Sequence, residues 1–514
     1  MAFTLEEIKI DAEAGWEEAL QREVTHLLGQ PMAYRLLRRS FDGRKRPAKF
    51  NCKILVEGTM PRRNLSRHRP KEVEESPYEY LPVKGDVAVV GAGPAGLFCA
   101  YALARGGARV HLFERGKPVE ARVKDVEHFF ETGELNTSSN VQFGEGGAGT
   151  FSDGKLTSRS KDPRGAEVLR LFASWGAPEE ILYLQKPHIG TDRLRKVLLT
   201  MRQEMASSVV YHFEEEVMEL GIKDGKVTGL VTEKDTYAFS TVVLALGHSA
   251  RDLFATLSKS LVMEPKPFAV GFRIEHPQER INALQYKKRM ELADLLGAAD
   301  YRLTATDPVS GRGGYTFCMC PGGSVVAAAS EEGRLVTNGM STYPRDLQNA
   351  NAALLVSVSP KDFGGGVLGG IAFQREIEER AYRLGGGGFI APVMGAEDFL
   401  GRGGEVDLTP SYRPGVVEKD IRTILPRELT ESLQRSLLLM EEKVPLFAKG
   451  ALLTAVESRS SSPVRLLRQD NLEAKGVSGL YPIGEGAGYA GGIMSAAIDG
   501  LKAAESIARK GELR

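Results

Sequence analysis

The sequence predicts an α/β protein whose parallel-sheet domain is split along the chain. A mixed α+β segment is inserted before its last part, and a small α+β unit stands in front. Three stretches predict this. GDVAVVGAGPAGLFCAYALARGGARVHLFERG, from Gly85, reads as a buried strand, a glycine turn, a small-residue helix and a second strand, which is a βαβ unit. STVVLALG at 240–247 reads as a further buried strand. GLYPIGEGAGYAGGIMSAAIDGLKAAESIA at 479–508 returns to strand, glycine loop and helix.

In chain order, LEEIKI and FNCKILVEG alternate like strands around WEEALQREVTHLLG, which has helical spacing. PRRNLSRHRPKEVEESPYEYLP, rich in Pro and charge, reads as a linker. From 265 to 446 strand-like pieces such as FAVGFRIEH and TFCMC alternate with glycine clusters. The domains expected are therefore 1–80 for the N-terminal unit and linker, 81–264 for the first part of the sheet domain, 265–446 for the inserted domain and 447–514 for the returning part.

Composition narrows the class. Among 514 residues, 67 Lys and Arg balance 67 Asp and Glu, so no overall field draws the chain to nucleic acid or a membrane. The balance is not uniform along the chain: between Arg35 and Arg69 twelve basic residues face only Asp42 and Glu57. Four cysteines do not make a disulfide framework, and the N-terminus lacks a basic region followed by an apolar core, so a cytoplasmic protein is expected. The uncharged run 87–104 approaches a membrane span in length, but Gly91, Gly93, Pro94 and Gly96 interrupt it. The 57 glycines, about one residue in nine against ~7% usually, suit a backbone that approaches a ligand in several places.

GAGPAG at 91–96 follows VAVV and opens a helix, the context that gives GxGxxG its mechanism. Gly91 permits the tight turn, Gly93 lets the backbone approach a pyrophosphate, and Gly96 allows close helix–strand packing. Ala95 lies in the same turn. The helix N-terminus offers free N–H groups to phosphate. Glu114 ends the second strand, 23 positions after Gly91, where a carboxylate accepts hydrogen bonds from ribose hydroxyls. That carboxylate disfavours a 2′-phosphate and leaves NAD or FAD.

Two later motifs decide between them. The strand running into Gly247 is similar to the Ala-Thr-Gly turn of glutathione-reductase-type flavoproteins, with Leu246 where Thr is usual. GLYPIGEGAG resembles the C-terminal flavin motif, in which an acid after Gly484 binds the ribityl chain. That acid is Glu485 where Asp is more familiar, and folds of the succinate dehydrogenase kind also use Glu. Three such motifs in order predict FAD on a Rossmann-type, glutathione-reductase-like domain. No second strand–GxGxxG–helix appears, so a dedicated NAD(P)H domain is not evident.

ERGKPVEARVKDVEHFF, QFGEGGAGTFSDGKL, LALGHSARD, VGFRIEHPQ, SSPVRLLR and GLYPIGEGAGYAGGIMSAA, with RRSFDGRKR in the N-terminal unit, carry a wider resemblance. Together they resemble the bacterial and plastid "FAD-dependent dehydrogenase" branch of the NAD(P)/FAD-dependent oxidoreductases, over nearly the whole chain. The resemblance implies a flavoprotein fold and a redox role, and brings no substrate with it. It also implies that GEGGAGTFSDGK lies beside the flavin, where consecutive glycines expose N–H groups. There Ser152 and Lys155 can donate to the ring, and a cation near N1 stabilises the reduced form. Arg115, Arg122, Gly147, Ala148, Val217, Gly492 and Ile493 complete the set of residues expected around the nucleotide, with a purely local capping role the alternative for Arg122.

Candidates for the substrate side are Arg273 and His276 in VGFRIEHPQ, with Lys155. Arg273 suits an anionic small molecule, and His276 an acid–base role. A solvated Lys155 and a structural His276 are the alternatives. Cys318 and Cys320 are expected on one strand face as packed, buried thiols, with a redox pair the alternative, and cannot close a metal site alone. Glu457 and Arg459 are expected either to line the flavin cleft or to belong to a serine-rich surface loop. The function expected is hydride transfer between a small organic substrate and flavin N5. A flavin monooxygenase, an RNA-associated flavoprotein using the basic N-terminal segment, and a non-catalytic FAD scaffold or sensor stay open beside it.

Overall fold

The computed structural model describes residues 2–512 apart from 14, 45, 62–63, 74–76, 158–160, 288 and 407. At its centre is a five-stranded, all-parallel sheet in the order Leu480–Pro482, Val242–Leu244, Asp86–Val90, Arg109–Glu114, Val209–Phe213. Its strands are short apolar runs, as expected where both faces are covered. The helices Pro94–Arg105 and Ile493–Glu512 pack against each other so closely that a Cβ on Gly500 would overlap the Ala95 carbonyl. An antiparallel meander, Val217–Lys223, Lys226–Thr232 and Thr236–Ala238, separates the third strand in sequence from the fourth.

The inserted region forms a seven-stranded sheet of its own. Its order is Thr304–Thr306, Gly313–Cys320, Asn349–Val358, Phe268–Pro277, Leu452–Glu457, Ala391–Gly395, Val416–Glu418. Every neighbouring pair is antiparallel except the last two strands. The chain leaves and re-enters the parallel-sheet domain through a two-stranded ribbon, Met263–Pro265 against Val464–Leu466. This corrects one boundary: the segment from 447 was assigned to the returning part, yet Leu452–Glu457 pairs with Phe268–Pro277 and Ala391–Gly395 inside the second sheet. A buried apolar strand reads alike in either sheet, so only its partners could place it.

In front, Ala2–Asp11, Tyr34–Asp42, Lys49–Glu57 and Lys71–Val73 form an antiparallel sheet carrying the helix Trp16–Leu28. The stretch read as a linker is more ordered than that. Lys71–Val73 is an edge strand paired with Ala2–Thr4, and Tyr78 and Tyr80 dock by their hydroxyls on Glu505 and Glu167. Three residues among charges carry too short an alternation to read as a strand. No described helix is long and apolar enough to cross a membrane.

Candidate dinucleotide site and the cleft beside it

The site begins where Asp86–Val90 turns into the helix Pro94–Arg105. Gly91 sits at φ +105°, and its N–H donates to the Phe113 carbonyl at 2.8 Å. A Cβ on Gly91 would overlap the Ala245 carbonyl, and one on Gly96 the Gly91 carbonyl. Only glycine permits this packing of turn, helix and neighbouring strand. Gly93 caps the helix without any side-chain acceptor, and Pro94 occupies its first turn. The first-turn N–H groups therefore face outward as an anion-binding end.

Glu114 is buried at the tip of the adjacent strand. Its Oε2 accepts from Ala92 N at 2.9 Å, and its Oε1 from Gly116 N at 3.0 Å and Gly144 N at 2.9 Å. A carboxylate has about four acceptor positions, so these three bonds fix its orientation and leave capacity for a ribose hydroxyl. Arg115 is held by Asp252 at 3.0 Å and Glu216 at 2.7 Å, and lies over the Phe143 ring. Val217, next to Glu216, is buried close to this strand end, where Glu215 N donates to the Glu114 carbonyl at 3.1 Å.

The second glycine loop meets the first. Gly146 N donates to the Ala92 carbonyl at 2.8 Å, and a Cβ on Gly147 would stand 3.0 Å from the Gly93 Cα. A Cβ on Gly149 would stand 3.1 Å from Ile493, and one on Gly484 2.7 Å from Ala95. Gly91, Gly93, Ala95, Gly96, Gly147, Ala148, Gly484 and Ile493, scattered over four hundred positions, thus converge on one helix end. Gly492, at φ +132°, is exposed beside Ile493, and Gly247 sits against Gly486.

Two expected cofactor contacts serve the loop instead. Arg122 is fully buried, and donates to the carbonyls of Asn140 (2.8 Å), Val141 (2.9 Å), Gly144 (3.2 Å) and Glu145 (2.7 Å). With each guanidinium nitrogen engaged, it holds the glycine loop in shape from beneath. Ser152 donates to the Gly149 carbonyl at 2.7 Å and accepts from Gly154 N at 3.1 Å.

The substrate-side residues fall differently from expectation. Arg273 is fully buried, bonded to Asn351 at 2.8 Å, to Glu457 at 3.1 and 3.2 Å and to the Cys318 carbonyl at 2.7 Å. A guanidinium so enclosed anchors strands, not a substrate. His276 lies 2.8 Å from the Phe447 carbonyl through Nε2 and 3.4 Å from the Tyr301 hydroxyl through Nδ1. Burial pushes its pKa down to about 4, so it packs as a neutral ring. Cys318 and Cys320 do not share a face as buried thiols. A bulge separates them, Cys318 takes φ +40° and is exposed, and only Cys320 is buried, against Arg273.

Lys155 does reach this bulge. Its Nζ donates to the Met319 carbonyl and lies 3.1 Å from Asp153, which Arg345 holds at 2.9 Å. The edge of the inserted sheet therefore touches the second glycine loop. A larger ionic cluster closes the two domains elsewhere. Glu378, fully buried, accepts from Arg251 at 2.7 Å through both oxygens, from Arg459 at 3.1 and 3.2 Å and from Ser458 at 2.6 Å. Arg459 thus belongs to a domain junction rather than a surface loop, and Glu457 to the Arg273 pair.

The fit to a flavin dinucleotide rests on three features: a helix end with no side-chain cap, two glycine loops in backbone contact, and a buried imidazole nitrogen without a partner among the described residues, Nε2 of His248. Sequence reading passed over His248, Asp252 and Asp499. Asp499 accepts from Gly484 N at 2.8 Å and pairs with Arg468 at 2.8 Å. Of these, Asp499 carried a signal, as the one acid in the apolar first half of the C-terminal helix.

Comparison with known proteins gives the same assignment. Residues 85–262 match the family described as pyridine nucleotide-disulphide oxidoreductase, and residues 267–460 the one described as FAD-dependent protein, C-terminal domain-like. An "Uncharacterized protein" of Clostridium beijerinckii is 45% identical over 496 residues, covering 93% of this chain and 92% of its own. Among solved structures, L-proline dehydrogenase from P. horikoshii aligns over 84% of this chain and 95% of its own, at 12% identity and TM-score 0.35. The L-amino acid deaminase from Proteus myxofaciens, solved with anthranilate, aligns over 85% and 93%, at 14% identity and TM-score 0.35. Likeness at that level says nothing about substrate. On its near full-length relative and the two matched domains, this chain belongs to a family of FAD-dependent oxidoreductases that joins a pyridine nucleotide-disulphide oxidoreductase domain to the FAD-dependent C-terminal domain.

Proposed function

We propose that the protein moves a hydride between a small organic molecule and flavin N5, in a cleft between the parallel sheet and the inserted sheet. The observation that carries this reading is the contact of Lys155 with the Met319 carbonyl, next to the exposed Cys318. It sets groups of the inserted domain against the loop that the family resemblance puts beside the flavin. Bound FAD supplies a two-electron acceptor and donor.

The chain's own residues orient and enclose it. The helix end at Gly93 and the backbone of Gly147 receive the pyrophosphate, and Glu114 the adenosine ribose. Lys155, 3.1 Å from Asp153, offers a cation to the side where negative charge gathers on reduction. The inserted sheet excludes water from the reacting face. The electron donor in this reading is the substrate, not NADH or NADPH on a second dinucleotide fold.

An anaerobic panel of amino, hydroxy and polyol compounds, with NADH and NADPH, tests this through loss of the oxidised-flavin absorbance. A member of the panel should bleach the flavin with saturation. Saturable bleaching at micromolar concentration by NADH or NADPH alone would replace this reading with a nucleotide-fed reductase. A peroxide adduct forming when oxygen meets the reduced protein would replace it with a monooxygenase.

A further inference from the structure

We infer that His248 is a cofactor contact: its Nε2 accepts a hydrogen bond from a hydroxyl of the ribityl chain, with Glu485 fixing the ring. The inference rests on the FAD reading above and deepens it. His248 follows Gly247, just beyond Val242–Leu244, whose parallel neighbour Leu480–Pro482 runs on into Gly484 and Glu485. The two loops touch, since a Cβ on Gly486 would overlap the Gly247 carbonyl. The imidazole therefore stands past the carboxyl ends of two adjacent parallel strands, where open α/β sheets take their ligands.

The next residue along the chain is already engaged. Ser249 donates to Gln142 Oε1 at 3.1 Å and accepts from Arg459 at 3.1 Å, and Gln142 Nε2 donates to the Ala328 carbonyl at 3.2 Å. His248 is only 7% exposed, and its Nε2 has no hydrogen-bond partner among the described residues. A buried polar nitrogen left unpaired lowers stability, so it points to a partner that arrives with a ligand.

The tautomer follows from the other nitrogen. Nδ1 faces Glu485 Oε1 at 3.8 Å, and a carboxylate there favours the proton on Nδ1. With the ring proton on Nδ1, Nε2 is an acceptor, which matches a hydroxyl and not a phosphate oxygen or a ring carbonyl. The Glu485 side chain, about a quarter exposed, keeps lone pairs for the same polyol.

Apo protein, prepared by removing flavin at acid pH in high salt, is titrated with FAD and separately with ADP, which lacks the ribityl chain. His248→Phe should weaken FAD about tenfold, leave ADP affinity unchanged, and leave the apo melting temperature equal or higher because the unpaired nitrogen is gone. His248→Gln, whose amide reaches the Nε2 position, should stay within about threefold of the parent, while His248→Asn, which reaches only Nδ1, should behave like the Phe variant. Unchanged FAD affinity in the Phe variant, or equal weakening of FAD and ADP, overturns the inference. So does a rank order in which Asn and not Gln restores binding. If the parent protein takes up ADP but not FAD, the flavin reading itself has failed.

Discussion

The parallel sheet and the inserted sheet each depend on a few buried charges, but their partners lie at different ranges. Glu114 finds the N–H groups of Ala92, Gly116 and Gly144 within 30 positions of itself. Arg273 finds Asn351, Glu457 and the Cys318 carbonyl at separations of 78, 184 and 45. A group that bonds to nearby backbone keeps its meaning inside its own motif. A cation in the middle of an antiparallel sheet is a ligand anchor or a structural tie depending on which strands flank it, and those strands are distant in sequence.

The largest effect that could break this contrast belongs to the turn. Gly96→Ala would push a methyl group into the Gly91 carbonyl, so the helix must shift off the sheet and its N–H groups lose their aim. FAD per purified chain should fall at least tenfold, read from the ratio of flavin to protein absorbance. A fully loaded variant would mean that this turn does not hold the nucleotide.

Next comes the junction. Glu378→Ala removes the one carboxylate that Arg251 and Arg459 share, and leaves two buried guanidiniums without it. The expected loss is about 3–5 kcal/mol in urea unfolding. Burial would raise the Glu378 pKa, but the two arginines outweigh it and hold it below the ordinary range. Its contribution is thus present above the unfolded carboxylate pKa, and is lost as pH falls towards the folded one. Glu378→Gln should flatten that acid limb. A limb of unchanged slope would show that other carboxylates govern acid unfolding.

Arg273→Lys sharpens the contrast directly. Lysine keeps the charge but not the planar set of donors, so about 1.5–3 kcal/mol of stability should be lost while FAD is retained. Single-turnover reduction, corrected for the folded fraction, should stay close to the parent rate. A tenfold slower reduction at unchanged stability would return Arg273 to the substrate.

The parts legible in sequence were those whose cause is local. GAGPAG needs glycine because carbonyls crowd it, and Glu114 orients itself on amides of the same domain. For Arg122 the sequence leaves a cofactor contact and a local structural role open, and its carbonyl partners in the loop 140–145 give it the second. Cys318 was misplaced because a bulge breaks the two-residue period on which strand faces are counted. His248 left no pattern in the sequence, only a polar ring after a glycine. Its interest appears only in the fold, where Nε2 is buried with no hydrogen-bond partner among the described residues.

A smaller effect separates two carboxylates of the nucleotide loops. Glu145 bonds Val119 N at 2.8 Å and Arg202 at 3.1 Å, but its Oε1 is buried without a partner, unlike either oxygen of Glu114. Burial raises its pKa to about 7. A carboxyl with a raised folded pKa favours the fold below its unfolded value, and that advantage is lost as pH rises through 7. Glu145→Gln should match the parent at pH 5 and exceed it at pH 8 by on the order of 1–3 kcal/mol. Equal stability at both pH values would mean that Arg202 keeps the carboxylate ionised throughout.

The smallest effect lies in the N-terminal unit, where charge is shared across a sheet at the surface. The run from Arg35 to Arg69 is strongly basic when counted along the chain, but the neighbouring strand Ala2–Asp11 lies outside that count. Across the sheet it sets Glu6 at 2.7 Å from Lys53 and Asp11 at 2.8 Å from Lys49. Asp42 holds Arg44 at 2.7 Å, and Arg39 stacks on Trp16 and Phe50. Four of the cations are thereby engaged within the unit. Each exposed pair is worth about 0.2–1 kcal/mol, so Lys53→Ala should move the unfolding midpoint only slightly. The same pairing weakens the field that a phosphate backbone would feel. Transfer RNA should be retained only at low salt and released steeply as salt rises, and Glu6→Gln with Asp11→Asn should raise that low-salt retention. Selective retention at physiological salt by the parent protein would show that cross-strand pairing leaves a working nucleic-acid surface, and the N-terminal sheet would then have a partner of its own.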